Sequence, residues 1–255
     1  IGKNQKPFFV GATSGSTVRG SFDSLNDINK ICKKYNLWFH VDGSWGGSAL
    51  LSKTHRYLLK GAKKSDSFSW CAHKAMSQPL ICTVALFKSP LILRELNSVE
   101  GTNYLFHNKS DGINIGEYSL QCGRRVDSLK LWLTWKYLGD IGFEKHMDHL
   151  FGMAKYAEEK IKSSEELVLI PPVNYLNLCF QVKPKGLATE QVDEFTVAIR
   201  HKLLDKGKAM VNYAKVDNKS CIRLVTVNPD LTTEHLDTFF RNIEDMSILL
   251  LKEVY

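Results

Sequence analysis

The first half of the chain strings short apolar runs between polar turns. Residues 7–12 (PFFVGA) are an apolar, aromatic run that breaks into Thr13-Ser14-Gly15-Ser16-Thr17, the pattern of a strand delivering a polar turn. A helix is predicted next: Ser24 and Asp27 have the spacing of a capping box, and Ile28, Ile31, Cys32 and Tyr35 follow at helical intervals. Residues 37–41 (LWFHV) are almost continuously apolar, as in buried parallel strands, and end on Asp42 and the glycine-rich Gly43-Ser44-Trp45-Gly46-Gly47. Strand, helix, strand predicts a βαβ unit. A short helix near 55–60 precedes a strand at 67–70, which delivers Cys71-Ala72-His73-Lys74, and 81–87 (ICTVALF) reads as a further strand. Residues 100–117 are polar with little periodicity and read as a long loop. Residues 127–138 are helical and aromatic (Trp132, Trp135, Tyr137) with Gly139 as the stop, and a second helix carries Phe143, Met147, Leu150, Ala154, Ala157 and Ile161 on one face.

After residue 163 the rhythm changes. Leu176, Leu178, Phe180 and Val182 alternate with Asn177, Cys179 and Gln181, the two-residue period of a half-exposed antiparallel strand. Val192, Phe195, Ile199 and Leu203 mark a helix ending at Gly207, residues 210–213 and 221–227 read as strands, and 232–251 as a last helix. The expected fold class is α/β. Residues 1–140 would hold part of a doubly wound, mostly parallel sheet, and residues 141–255 a linking helix and a small α+β unit.

Composition narrows the classes. The 255 residues are 44% hydrophobic, 11% aromatic and 24% charged, which excludes disordered and low-complexity chains. No apolar run approaches the roughly 18 residues of a bilayer span, and no signal-peptide pattern follows Ile1, so the expectation is a cytoplasmic protein, free of membrane, and a piece of something longer. Lys and Arg total 34 against 27 acidic residues, but the basic residues are scattered in pairs such as Lys33-Lys34, Lys63-Lys64 and Arg124-Arg125. Without a block or a recognition motif around them they read as solvated surface, not a nucleic-acid footprint. The six cysteines are widely spaced and form no CxxC, as expected of reduced thiols.

The chemistry gathers at strand ends. Thr13, Asp42 and His73-Lys74 each close a predicted strand, and in open α/β sheets ligands bind at that carboxyl edge. Singly, each has an ordinary reading as a turn threonine, a capping aspartate, a backbone-paired histidine or a solvated lysine. Together they are what pyridoxal 5'-phosphate needs: an amine for a Schiff base, an acid beside the pyridine nitrogen, and donors for the phosphate. Two rivals use overlapping residues. A metal site could draw on His40, His55, Cys71 and His73, although only Cys71 and His73 share a strand face. Nucleophilic catalysis by Cys71 beside His73 would need an orienting group and an oxyanion hole that the sequence does not identify.

FHVDGSWGGS at 39–48 and DSFSWCAHK at 66–74 resemble the group II pyridoxal-phosphate decarboxylases. Trp45-Gly46-Gly47 points to the acidic branch, with glutamate, aspartate and cysteine sulfinic acid decarboxylases, where aromatic amino-acid decarboxylases have HVDAAYAG. ATSGST (12–17), SKTHRYLL (52–59), YLF (104–106), QCGRRVDSLKLWLTWK (121–136) and IRLVTVNP (222–229) extend the resemblance along the chain. It implies the C-terminal half of a fold-type I enzyme that decarboxylates a small acidic amino acid, acts as a homodimer, and lacks here its N-terminal half. Lys74 would carry the cofactor and Asp42 pair with its pyridinium nitrogen. Thr13, Ser44, His73 and Cys71 would line it, and Arg223 would hold the substrate α-carboxylate.

Three departures accompany the resemblance. Cys71 stands where the family's NPHK has asparagine, a weaker donor to phosphate, and Ile81 replaces a glutamine. The segment after YLF is shorter and offers no tyrosine at the family's protonating position, with Tyr118 too near the next helix to replace it. Resemblance therefore also leaves room for an altered reaction outcome, such as abortive transamination or oxidative deamination, or for a silent dimer partner.

Overall fold

The computed structural model describes residues 5–97, 115–119, 121 and 123–254. Most of the predicted loop at 100–117, YLF included, lies outside the described residues; its described tail is a 3₁₀ turn, Ile115–Tyr118. In chain order the elements are β1 (Phe9–Thr13), α1 (Leu25–Tyr35), β2 (Trp38–Asp42), β3 (Ser67–Cys71), α2 (Ala72–Ala75), β4 (Thr83–Phe87) and α3 (Ile92–Asn97). Then come α4 (Asp127–Ser163), β5 (Leu167–Leu169), β6 (Asn177–Val182), α5 (Val192–Asp205), β7 (Asn212–Val216), β8 (Lys219–Val225) and α6 (Thr233–Val254).

The first sheet has the order β1-β2-β3-β4, with β1, β2 and β3 parallel and β4 antiparallel to β3. Phe39 and Val41 of β2 are buried, as the apolar run at 37–41 requires. α1 covers less than its pattern promised: Leu25, Asn29 and Cys32 are buried, whereas Ile31 and Tyr35 are exposed. The capping box also differs. Ser24 Oγ donates to the Asp27 carboxylate at 2.7 Å, and the Ser24 carbonyl takes the Asp27 and Ile28 N–H groups.

The second sheet, β5-β6-β8-β7, is antiparallel throughout. β6 is buried at every position, not half-exposed as its alternation suggested. Its polar residues are inside because distant groups satisfy them: Gln181 donates to Asp193 at 2.7 Å and to the Ser220 carbonyl at 3.0 Å. Between the sheets runs α4, broken at Gly139 (φ 63°, ψ −179°), a backbone region essentially reserved for glycine. A continuous apolar cluster passes from Ala12 and Phe39 through Phe143, Met147 and Leu150 of α4 to Leu178, Phe180 and Phe240. Among the described residues, no helix is long and apolar enough to cross a membrane.

Candidate active site

Parallel register puts the ends of the first three strands side by side: Thr13 is level with Asp42, and Asp42 with Ser69. The turns that follow β1 and β2 are then stitched together. Ser14 N–H donates to the Asp42 carbonyl at 2.8 Å, and Gly46 N–H donates to the Ser14 carbonyl at 2.9 Å. No side chain fits at this crossing, since a Cβ on Gly46 would lie 2.5 Å from the Ser14 oxygen. Thr13 is fixed through its own N–H, which donates to Asp23 Oδ2 at 2.7 Å.

Asp42 lies exposed at the sheet's carboxyl edge with one oxygen anchored. Its Oδ1 accepts from Ser44 N–H at 3.0 Å and from Ser69 Oγ at 3.2 Å. Ser69 Oγ is also 3.4 Å from both His40 Nε2 and Ser44 Oγ. Burial pushes the carboxyl pKa up, but the Ser44 and Ser69 hydrogen bonds and the Lys74 charge outweigh it, so the group sits below its ordinary value and is ionised.

Immediately after β3, the single turn α2 presents His73 and Lys74, both half-buried. His73 clamps the β3–β4 connection: its backbone N–H donates to the Cys82 carbonyl at 3.4 Å, and its ring Nδ1 lies 3.0 Å from the Cys82 carbonyl oxygen and 3.1 Å from the Cys82 nitrogen. Lys74 makes no hydrogen bond or ion pair among the described residues, while its charge bears on Asp42. Cys71 is buried, its Sγ 3.5 Å from Thr83 Oγ1 and its N–H donating to the Ser44 carbonyl at 3.3 Å. Ile81 is exposed.

Arg223 arrives from β8 of the other sheet. Its guanidinium carbon is 5.8 Å from the Trp45 ring centre, and its Nε is buried with no hydrogen-bond partner among the described residues. Burial pushes its pKa down and the neighbouring Cys179 thiol opposes that, but a guanidinium titrates far above neutrality and stays charged. Trp45 Nε1 donates to Asn177 Oδ1 at 2.6 Å, and Asn177 Nδ2 donates to the carbonyls of Thr17 (2.9 Å) and Val18 (3.1 Å). Thus Thr13, Asp42, Ser44, His73 and Lys74 meet at one sheet edge, and the indole of Trp45, in the turn that begins there, faces Arg223 from the other sheet. Sequence reasoning missed Ser69 and Asn177. Ser69 was within reach, because parallel strands ending together place it beside Asp42; Asn177 left no signal, because its partners lie in the turns after β1 and β2.

The residues of the metal reading stay separate. His40 Nδ1 is 2.8 Å from Ser67 Oγ, His55 stacks on Phe151 with ring centres 3.6 Å apart, and among the described residues no group of three or more His, Cys, Asp or Glu could hold a metal ion.

An ionised aspartate, an unpaired lysine amine and strand-end hydroxyls at the carboxyl edge of a parallel sheet suit an aldehyde-bearing cofactor with a basic ring nitrogen, which defines the class as pyridoxal-dependent. The profile described as the pyridoxal-dependent decarboxylase conserved domain matches residues 2–183, and the chain belongs to that family. It is 35% identical over 250 residues to the cysteine sulfinic acid decarboxylase of Mus musculus, covering 93% of this chain and 51% of that one. It is 36% identical over 253 residues to the acidic amino acid decarboxylase GADL1 of the same species, covering 94% and 46%. The crystal structure of mouse CSAD in apo form superposes with a TM-score of 0.88 at 34% identity, covering 94% of this chain and 52% of that one. At 23% identity, Oryza sativa TDC with PLP and tryptamine shares the fold with a TM-score of 0.88, covering 96% of this chain and 51% of that one. The chain spans about half the length of the curated relatives it matches.

Proposed function

We propose that the intact gene product releases the α-carboxylate of a small acidic amino acid, cysteine sulfinate, aspartate or glutamate, as carbon dioxide, with pyridoxal 5'-phosphate held on Lys74. The observation that carries this reading is the ionised Asp42, braced by Ser44 and Ser69 and facing the charge of Lys74, with Arg223 held by the same turn. When bound, the cofactor supplies an aldehyde carbon for the amine and a conjugated ring that takes up the electron pair left by the departing carboxylate. Lys74 Nζ would anchor it and is the amine placed there to carry a proton. Asp42 would keep the ring nitrogen protonated, a task suited to a carboxylate whose own proton is held off by two hydrogen bonds. His73, fixed by Cys82, would present its ring beside the cofactor. Thr13 and Ser44 would line it, whereas the Cys71 thiol is engaged with Thr83 and would reach the phosphate only by leaving that contact. Arg223, with its planar fork and its buried, unpaired Nε, would take the substrate carboxylate.

Two structural points extend the proposal. The break at Gly139 and the change from parallel to antiparallel pairing support a division into a cofactor-binding part (1–140) and a linking helix with a small α+β unit (141–255). Exposed Leu129, Trp132 and Leu133 on α4 support a homodimer, in which such side chains would be covered.

The test compares the intact gene product with Lys74→Ala. Visible absorbance of bound cofactor should vanish in the variant, and the unsubstituted protein should release carbon dioxide from an acidic amino acid but not from dopa. A band that persists in Lys74→Ala overturns the lysine assignment. Turnover of dopa alone overturns the acidic substrate class, and cofactor binding with no carbon dioxide from any amino acid makes the protein a silent relative.

A further inference from the structure

We infer that Trp45 is a positioning residue: its indole face fixes the Arg223 guanidinium in the orientation in which it meets the substrate carboxylate. The inference deepens the proposed function and rests on its reading of Arg223. Among the described residues, no side chain or carbonyl hydrogen-bonds the Arg223 guanidinium, and its Nε is buried without a partner. An arginine that only held the fold together would be expected to have a carboxylate or carbonyls for its five donors. This one has an aromatic face 5.8 Å from its central carbon, which restricts the long side chain while leaving the hydrogen-bonding fork open.

The ring itself has little freedom. Its Nε1 is tied to Asn177 Oδ1 at 2.6 Å, its backbone carbonyl accepts from Tyr175 Oη at 3.1 Å, and the Tyr175 ring meets it edge-on at 6.0 Å and 79°. Asn177 is in turn pinned by the Thr17 and Val18 carbonyls. Trp45 belongs to the turn that carries Asp42 and Ser44, whereas Arg223 belongs to the other sheet. The indole therefore sets the spacing between the group that would hold the cofactor ring and the group that would hold the carboxylate.

The test uses the intact gene product with Trp45→Phe, Trp45→Leu and Asn177→Ser, and phenylglyoxal as an arginine probe read at Arg223 by mass spectrometry. Trp45→Phe keeps an aromatic face and should label close to the unsubstituted rate. Trp45→Leu should label about 5- to 30-fold faster, the factor matching the loss of a partly desolvated cation–π contact. Asn177→Ser, which frees the indole N–H, should fall between them. In turnover, KM for the acidic substrate should rise in the same order with kcat retained, as expected when an interaction common to ground and transition states is weakened. Equal labelling rates in all variants that keep the native circular dichroism overturn the inference. If Trp45→Leu does not fold, Asn177→Ser against Trp45→Phe decides on the same criterion. Failure of the functional reading shows separately: if an acidic amino acid does not protect Arg223 from labelling in the unsubstituted protein, the carboxylate role falls, while rates without substrate still judge the hold of the ring.

Discussion

Replacing Gly46 by alanine tests whether the two turns of the site must touch. The added Cβ would lie 2.5 Å from the Ser14 carbonyl oxygen and 2.6 Å from Phe22 Cε1, closer than real side chains come. Phe22 could rotate, but the Ser14 oxygen is backbone and already accepts the Gly46 N–H at 2.9 Å. Relief therefore means pushing the turn after β1 away from the turn after β2 and losing that hydrogen bond. Overpacking costs about 1–3 kcal/mol and the hydrogen bond about 1 kcal/mol more, for a total of about 2–4 kcal/mol. In a chain of this size that lowers Tm by roughly 4–16 °C. Gly152→Ala is the control: Gly152 is exposed on α4, an added Cβ meets nothing within 4 Å, and the exchange should stabilise by up to about 1 kcal/mol. Urea denaturation followed by tryptophan fluorescence reads both, and retention of the visible cofactor band reports whether Thr13 and Asp42 have moved apart. The reasoning is refuted if Gly46→Ala unfolds within about 0.5 kcal/mol of the unsubstituted protein, the range of an ordinary surface change.

Two further outcomes follow from the described geometry. Asp42 has a folded pKa below its ordinary 3.8, so its stabilising contribution is complete above that value and is lost as pH falls through it towards the lower folded value. Between about pH 5 and pH 3, the urea midpoint of the unsubstituted protein should fall faster than that of Asp42→Asn; parallel curves would show that the carboxylate is not specially held. Gly139→Ala should cost about 1–3 kcal/mol in the same assay from backbone conformation alone, because a Cβ there meets nothing within 4 Å. An unchanged midpoint would mean that the break in α4 is not enforced at this residue.

The legible parts of this protein were those whose cause is local. The apolar run at 37–41 is a strand whose Phe39 and Val41 are buried on one face of the sheet while Trp38 and His40 are half-buried on the other, and it ends at Asp42 because the polar turn begins there. Gly139 was readable as a stop because the required backbone conformation selects glycine. What stayed hidden depended on partners far away in sequence. β6 reads as half-exposed because Asn177, Cys179 and Gln181 are polar or weakly so, yet the first sheet's turns, α5 and β8 supply acceptors that make their burial affordable. Ile31 and Tyr35 obeyed the helical period and still face outwards, since periodicity marks a face without saying what covers it. In the site, Thr13, Asp42, His73 and Lys74 were found through their positions at strand ends, while the Trp45–Arg223 contact joins two sheets and has no expression in either segment alone.

Among the described residues, β1 and β4 each have a strand on one side only, and Phe8, Phe9 and Leu86 beside those outer margins are exposed. Unpaired strand margins with apolar side chains are templates for other chains. Concentration is therefore a variable in every measurement made on this chain by itself: dilute samples report the fold, and concentrated ones a competition between folding and sheet-to-sheet association.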